Sequence, residues 1–166
     1  MPTITACSQD CPDTCSLVVD ERDGRPRVEG NPDHPFTGCG PIGVLSILAA
    51  RRAGAAEIVA TDLSDFTLSL ARKVGADRVI NTGVEPDALA AYGTDKGYFD
   101  VLYECTGVAA ALAGGIAALR PRGVILQLGL GGDMTLPMMA ITAKELDLRG
   151  SFRFHAEFAV GVGLMQ

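Results

Sequence analysis

Short apolar runs alternate with segments of helical period from residue 41 onward, and this rhythm constrains the fold more than any other feature. Strands are predicted at residues 57–61, 78–81, 99–104, 123–129 and 146–152. Helices are predicted at residues 41–53, 65–74, 86–92, 108–119 and 155–166. Strands that alternate with helices form a parallel sheet covered on both faces, and continuously apolar strands fit such burial. The sequence therefore predicts an α/β fold.

A glycine-rich turn opens the first of these helices. Gly38, Gly40 and Gly43 fit the pattern G-x-G-x-x-G, and Pro41 suits a first helical turn. Such glycines allow a tight turn, close approach of the backbone to a pyrophosphate, and packing of the helix on a strand. Asp62 ends the next predicted strand, where a carboxylate binds ribose hydroxyls and repels a 2′-phosphate. We predict a Rossmann-type, doubly wound parallel sheet that binds NAD in preference to NADP. The alternative is an ordinary strand–helix turn.

The first 40 residues differ in composition from the rest of the chain. They hold four of the five cysteines and five of the nine prolines. We predict two pieces, a truncated Cys-rich and Pro-rich segment (residues 1–37) and a truncated dinucleotide domain (residues 38–166). Cys7, Cys11 and Cys15 lie four residues apart, and Cys39 follows at a distance. Four thiolates suit an iron–sulfur cluster or zinc, whereas disulfides would require an oxidising compartment.

Charge and hydropathy exclude other classes of protein. The net charge of −6 argues against a nucleic-acid binder, which needs a basic face. Residues 101–119 are apolar, but Glu104 and the Thr106–Gly107 pair divide them, so we predict a strand and a helix and no membrane span. No apolar leader stretch is seen among the first 40 residues, and we expect a cytoplasmic location.

Six stretches resemble the NAD-binding domain of medium-chain zinc-dependent alcohol and polyol dehydrogenases. They are GCGPIG (38–43), EIVATD (57–62), ARKVGADRVIN (71–81), FDVLYECTG (99–107), ALRPRGVILQLGLGG (118–132) and AKELDLRGSFRF (143–154). The resemblance implies hydride exchange between NAD and a secondary alcohol, with a zinc ion that polarises the substrate oxygen.

The same resemblance implies which residues line the cofactor. Those at the pyrophosphate would be Gly38, Gly40, Ile42 and Gly43, with Asp62 at the adenosine ribose. Those on the adenine and ribose side would be Cys105, Thr106 and Gly107. Those at the nicotinamide would be Leu128, Gly129 and Leu130, with Ser151, Phe152 and Arg153 behind it. Three plainer roles stay open: Cys105 as a small buried apolar residue, Phe152 as packing and Arg153 as a solvated charge.

The catalytic zinc ligands of that family, which lie in a separate preceding domain, have no counterpart in this sequence. The two histidines, His34 and His155, fit no ligand pattern. We therefore assign no catalytic residue and no zinc site, and we expect the isolated chain to be inactive. The expected partner is a nicotinamide dinucleotide, and a homo-oligomer stays open.

A second resemblance covers the start of the chain. ACSQDCPDTCSLVV (6–19) and GRPRVEGNPDHPFTG (24–38) resemble the [4Fe–4S] segment of molybdopterin oxidoreductases. This implies Cys7, Cys11, Cys15 and Cys39 as cluster ligands. Cys39 also lies inside the glycine-rich turn, so the chain looks like a chimera of two families. The alternatives to an NAD-binding domain are a cluster-binding electron-transfer segment and an inactive fusion.

Residues 30–37 stand where a doubly wound sheet has its central first strand. Pro32 and Pro35 cannot donate to a neighbouring strand, and Asp33 would place a charge inside the sheet. We therefore expect the sheet to lack this strand, or residues 16–20 or 27–29 to replace it.

Overall fold

A computed structural model describes residues 3–6, 16–22, 25–30 and 41–152. The first three ranges form one antiparallel sheet of β1 (Thr3–Ala6), β2 (Ser16–Arg22) and β3 (Arg25–Gly30), in that order. Val19 of β2 lies opposite Thr3 on one side and Val28 on the other. Residues 16–20 and 27–29 thus pair with each other, and the idea that either replaces a strand of the parallel sheet was wrong.

Residues 41–152 have the predicted α/β order. The elements are α1 (Pro41–Arg52), β4 (Val59–Asp62), α2 (Asp65–Lys73), β5 (Arg78–Asn81), a 3₁₀ helix (Ala88–Lys96), β6 (Phe99–Glu104), α3 (Ala109–Ala118), β7 (Leu119–Gln127), α4 (Met138–Ala143) and β8 (Asp147–Gly150). Every predicted helix and strand in this range has a counterpart, although one helix is of the 3₁₀ type. Helix α4 was not predicted, and the helix predicted over residues 155–166 lies outside the described residues.

Local signals set the bounds of α2. Ser64 precedes it, and the Thr67 amide donates to the Ser64 hydroxyl oxygen at 3.4 Å, which satisfies one free donor of the first turn. Basic side chains, Arg72 and Lys73, lie in the last turn beside the negative end of the helix dipole. Gly75 follows with φ +115°, a conformation that side chains disfavour. The helix therefore ends at Lys73, one residue before the predicted end.

The parallel strands form two sheets, β4–β5 and β6–β7–β8. A doubly wound sheet would place its first strand between β4 and β6. Among the described residues no strand pairs with the free edge of β4 or with the free edge of β6. Tyr98 bridges the starts of the two sheets, because its hydroxyl donates to Glu57 Oε2 at 2.7 Å. Most of residues 30–37 lie outside the described ranges, so the expectation about their conformation stays a prediction.

The hydrophobic core lies between α3, α4 and the three-stranded sheet. It comprises Leu112, Ile116, Leu119, Ile125 and Ile141. Lys144 caps the C-terminus of α3, since its Nζ donates to the carbonyls of Ala117 at 2.8 Å and Leu119 at 2.6 Å. Desolvation lowers the pKa of this ammonium group. No helix within the described ranges is long and apolar enough to cross a membrane.

Candidate functional site

Asp62 lies at the carboxyl end of β4, as the sequence predicts. Its Oδ1 accepts a hydrogen bond of 2.8 Å from the Ser64 amide and so holds the turn into α2. The carboxylate is half-buried at the edge where parallel strands of such sheets present their ligands. Asp62 therefore serves the local turn, and it lies at the edge where such sheets bind their ligands.

The first turn of α1 lies beside the loop that follows β6. A Cβ placed on Gly43 would be 3.9 Å from the Cβ of Cys105. Ser46 Oγ donates to the Ile42 carbonyl at 2.7 Å and lies 3.7 Å from Cys105 Sγ. Burial raises the pKa of the Cys105 thiol, and the charge of the nearby Glu104 carboxylate raises it further. The hydrogen bond with Ser46 acts in the opposite direction but is outweighed. The structure thus brings Gly43 and Ser46 of α1 against Cys105, and Ile42 lies in the same first turn.

Two glycine-containing loops meet at the carboxyl ends of β6 and β7. We call residues 105–108 the first loop and residues 128–132 the second loop. A Cβ on Gly129 would overlap the Gly107 amide nitrogen, and one on Gly131 would overlap the Gly107 carbonyl oxygen. Only glycine fits where backbones approach so closely. The structure therefore brings together Gly107 and Gly129, both named from the sequence, and adds Gly131, which sequence reasoning missed.

Glu104, the last residue of β6, is buried between these loops with 3% of its surface exposed. Its carboxylate accepts hydrogen bonds from the amides of Thr106 and Gly107, both at 2.9 Å, and from the Thr106 hydroxyl. Gln127 Nε2 donates to it at 2.6 Å. Burial opposes the charge, but these hydrogen bonds outweigh it and hold the pKa of Glu104 below its ordinary value. The side chain is therefore a carboxylate at neutral pH.

Sequence reasoning missed Glu104 and Gln127 as site residues. One signal could have found Glu104: an acidic residue that ends a buried apolar strand and is followed by Thr and Gly. A buried carboxylate needs several donors, and a Thr–Gly turn supplies two amides and a hydroxyl.

The remaining predicted residues lie at the same edge or outside the described ranges. Ser151 and Phe152 follow β8, and the Ser151 amide donates to the Gln127 carbonyl at 3.0 Å. Leu128 is half-buried, whereas Leu130 and Phe152 are 74% and 65% exposed. The residues outside the described ranges are Gly38, Gly40, Arg153, Cys7, Cys11, Cys15 and Cys39.

Other features of the described residues do not coincide with this edge. A cavity of about 380 Å³ is lined by Lys96, Pro121, Arg122, Ala143, Lys144 and Glu145. These residues lie near the starts of β6, β7 and β8, at the opposite end of the sheet. Across the described ranges no group of three or more His, Cys, Asp or Glu residues could hold a metal ion.

Two family models match the chain. The model of the zinc-binding dehydrogenases matches residues 41–166. The model of the molybdopterin oxidoreductase Fe4S4 domain matches residues 2–40. Both resemblances read from the sequence are thereby confirmed.

Individual relatives agree with the longer match. L-Idonate 5-dehydrogenase (NAD(P)(+)) of Escherichia coli is 43% identical over 128 residues, which cover 76% of this chain and 37% of that protein. Sorbitol dehydrogenase of Macaca fascicularis is 39% identical over 134 residues, with coverage of 77% and 37%. This chain therefore spans little more than a third of the length of these relatives.

Solved structures show the same fold. The crystal structure of the Escherichia coli L-idonate 5-dehydrogenase matches with a TM-score of 0.71 and covers 76% of this chain and 36% of its own. A zinc-binding dehydrogenase from Sinorhizobium meliloti, bound to NADP, matches with a TM-score of 0.67 at 26% identity and covers 75% and 38%. With its predicted alternation of strands and helices, its glycine-lined edge and a family match over residues 41–166, the chain belongs to the zinc-binding dehydrogenases and carries their NAD-binding region.

Proposed function

We propose that this chain binds NAD(H) at the edge formed by the carboxyl ends of β4, β6 and β7. The observation that carries the proposal is the contact of Gly107 with Gly129 and Gly131. Because these glycines have no side chains, the two loops lie backbone against backbone at this edge, and α1 begins beside them. A helix N-terminus supplies free amide donors and a positive dipole end, which suit a pyrophosphate.

The resemblance to the zinc-binding dehydrogenases assigns a role to each residue predicted at the cofactor. Ile42 and Gly43 in the first turn of α1 would face the pyrophosphate, together with Gly38 and Gly40. Asp62 would accept hydrogen bonds from the adenosine ribose. The first loop, which contains Cys105, Thr106 and Gly107, would line the adenine and ribose side.

The second loop and the segment after β8 would form the nicotinamide side. Leu128, Gly129 and Leu130 belong to the second loop, and the exposed side chain of Leu130 offers an apolar surface there. The residues placed behind the ring are Ser151, Phe152 and Arg153.

The preference for NAD over NADP depends on Asp62. A carboxylate at this position repels a 2′-phosphate. The relatives do not decide the matter, because L-idonate 5-dehydrogenase bears NAD(P)(+) in its name and the Sinorhizobium protein was solved with NADP. Asp62 also holds the Ser64 amide, so a test must separate its charge from its structural hydrogen bond.

The test is calorimetric titration of the full chain with NADH and with NADPH, for the wild type, Asp62→Ser and Asp62→Asn. Asparagine keeps an oxygen for the Ser64 amide but carries no charge. We expect Asp62→Ser to weaken NADH binding by about 1–3 kcal/mol, the size of a lost charged hydrogen bond. Asp62→Asn should lose less NADH affinity and gain affinity for NADPH. Equal affinities for both cofactors, unchanged in both variants, would contradict the assignment of Asp62.

A second candidate function rests on the Fe4S4 match over residues 2–40. Cys7, Cys11, Cys15 and Cys39 would bind a [4Fe–4S] cluster in the segment 1–37 and at its junction with the domain 38–166. To test this candidate, the chain is reconstituted anaerobically with iron and sulfide, and its visible absorption spectrum shows whether a cluster has formed. The NADH titration is then repeated on the reconstituted protein. A cluster spectrum without NADH binding would favour this candidate, and NADH binding without a cluster would favour the first.

A further inference from the structure

Glu104 is a buried carboxylate whose hydrogen-bond partners all come from the two loops or their base. Its side chain holds the first loop through the Thr106 and Gly107 amides, at 2.9 Å each, and through the Thr106 hydroxyl. The Thr106 hydroxyl oxygen in turn accepts from the Val108 amide at 3.0 Å. One carboxylate thus orders the whole first loop.

The same residue also holds the second loop. Its main-chain carbonyl accepts hydrogen bonds from the amides of Leu128 at 2.8 Å and Gly129 at 2.9 Å. Gln127 Nε2 connects the two parts of this network, since it donates to the Glu104 carboxylate at 2.6 Å and to the Gly129 carbonyl at 2.9 Å. Glu104 and Gln127 therefore connect the two loops through hydrogen bonds, beside the direct backbone contact of Gly107 with Gly129.

This network is not needed to pack the core. Strands β6 and β7 pair through their backbones over Val101–Glu104, and the core cluster consists of aliphatic side chains further along the sheet. Burying a carboxylate in place of an apolar side chain gives little net stability even when it is fully hydrogen-bonded. A charged residue at the loop edge thus calls for an explanation in terms of the loops it orders.

We propose that Glu104 is a positioning residue for the dinucleotide. Together with Gln127 it fixes the spacing between the first and second loops, so that the adenosine side and the nicotinamide side of the cofactor are held at once. This inference rests on the proposed function, and it adds two residues that touch the loops rather than the cofactor.

The test measures NADH affinity of the full chain by the fluorescence of the nicotinamide. Thr106→Val removes the hydroxyl that donates to Glu104 but keeps the shape of the side chain. Thr106→Ser keeps the hydroxyl and serves as the rescue variant. Gln127→Met removes both hydrogen bonds of the amide with little change in volume. Melting temperatures of all four proteins, measured without cofactor, show that each variant is folded at the temperature of titration.

We expect Gln127→Met, at a residue outside the set that lines the cofactor, to raise the Kd for NADH about tenfold. Thr106→Val should have a similar effect, and Thr106→Ser should recover most of the affinity. A loss in Thr106→Val with none in Gln127→Met would overturn the inference, because Thr106 also lines the cofactor site. Lower melting temperatures with NADH affinities equal to the wild type would overturn the inference, because the network would then be structural only. If the wild type itself fails to bind NADH, the proposed function falls and this inference falls with it. A wild type that binds NADH alongside unaffected variants refutes the inference alone.

Discussion

The two parallel sheets run the same kind of strand–helix course, but they differ in how completely they are buried. The three-stranded sheet β6–β7–β8 carries the aliphatic core cluster, and its one buried carboxylate, Glu104, has several donors. The two-stranded sheet β4–β5 is covered by α2, which buries Thr67, Leu68 and Ala71. The Thr67 hydroxyl is buried without a partner among the described residues. We therefore expect the larger sheet to contribute more to the stability of the fold, while Asp62 lies in the smaller one.

Helix α1 and a few side chains connect the two sheets. Its Ser46 lies against Cys105 of the larger sheet. At its other end Arg51 donates to the Gly75 carbonyl and to Asp77, both at 2.6 Å, next to the smaller sheet. The Tyr98–Glu57 hydrogen bond joins the starts of the sheets. The site thus spans two units that, within the described ranges, share no strand pairing.

Truncating one buried isoleucine in each sheet should give the largest effect and tests this comparison directly. Ile125 in β7 is fully buried within the core cluster, and Ile80 in β5 is equally buried but outside it. We expect Ile125→Ala to lower the free energy of unfolding by about 2–5 kcal/mol, and Ile80→Ala by less, because fewer buried neighbours surround the cavity it leaves. Chemical denaturation of both variants measures the difference.

Equal losses for the two isoleucines would show that the sheets form one cooperative core, and the comparison would then fail. A larger loss of unfolding free energy in Ile80→Ala would mean that the smaller sheet contributes more to stability than the larger one. Ile→Val changes at the same two positions provide milder controls, since each removes a single methylene group.

The next largest effect should be a loss of stability of the larger sheet in acid, caused by protonation of Glu104. Hydrogen bonds from Thr106, Gly107 and Gln127 outweigh the opposing effect of burial and lower the pKa of this carboxyl in the folded state. Its stabilising contribution is therefore complete above the ordinary pKa of an unfolded glutamate and is lost as the pH falls through the lower folded value. Thr106→Val weakens this network, so its melting temperature should fall less steeply with acid than that of the wild type or Thr106→Ser.

The measurement is the melting temperature of the three proteins between about pH 7 and pH 3, over the range in which carboxyl groups titrate. Parallel curves for all three proteins would mean that Glu104 does not contribute to the acid sensitivity of folding.

Much of the α/β part could be predicted from sequence because its signals are local. The strands β5 and β6 have the predicted bounds, and the Ser64 cap and Asp62 at the strand end were read from single residues. The strand predicted at residues 57–61 begins two residues later, at Val59. The reason is tertiary, because the Ile58 amide donates to the Asp77 carboxylate at 2.7 Å, 19 residues along the chain.

The parts that sequence missed depend on contacts between distant residues or on very short segments. Helix α4 has six residues, too few to show a helical period. The segment predicted as a helix over residues 86–92 is a 3₁₀ helix, interrupted by non-helical backbone at Thr94 and Asp95. Glu104 and Gln127 meet only because β6 and β7 pair in register, which puts these two residues opposite each other. No spacing along the sequence reveals that pair.

The smallest expected effect is a gain in stability in the smaller sheet from Thr67→Val. Thr67 is 7% exposed, and its hydroxyl has no hydrogen-bond partner among the described residues, so folding removes it from water without replacement. Valine has nearly the same shape and a similar helix propensity but no hydroxyl. We expect the free energy of unfolding to rise by about 1 kcal/mol, the lower range for an unsatisfied buried polar group.

Thr67→Ser is the matched control, because it keeps the hydroxyl and loses the methyl group, and it should destabilise. If Thr67→Val destabilises instead, the hydroxyl has a partner in the folded chain. The smaller sheet would then be as well satisfied as the larger one, and the contrast between them would rest on the aliphatic core alone.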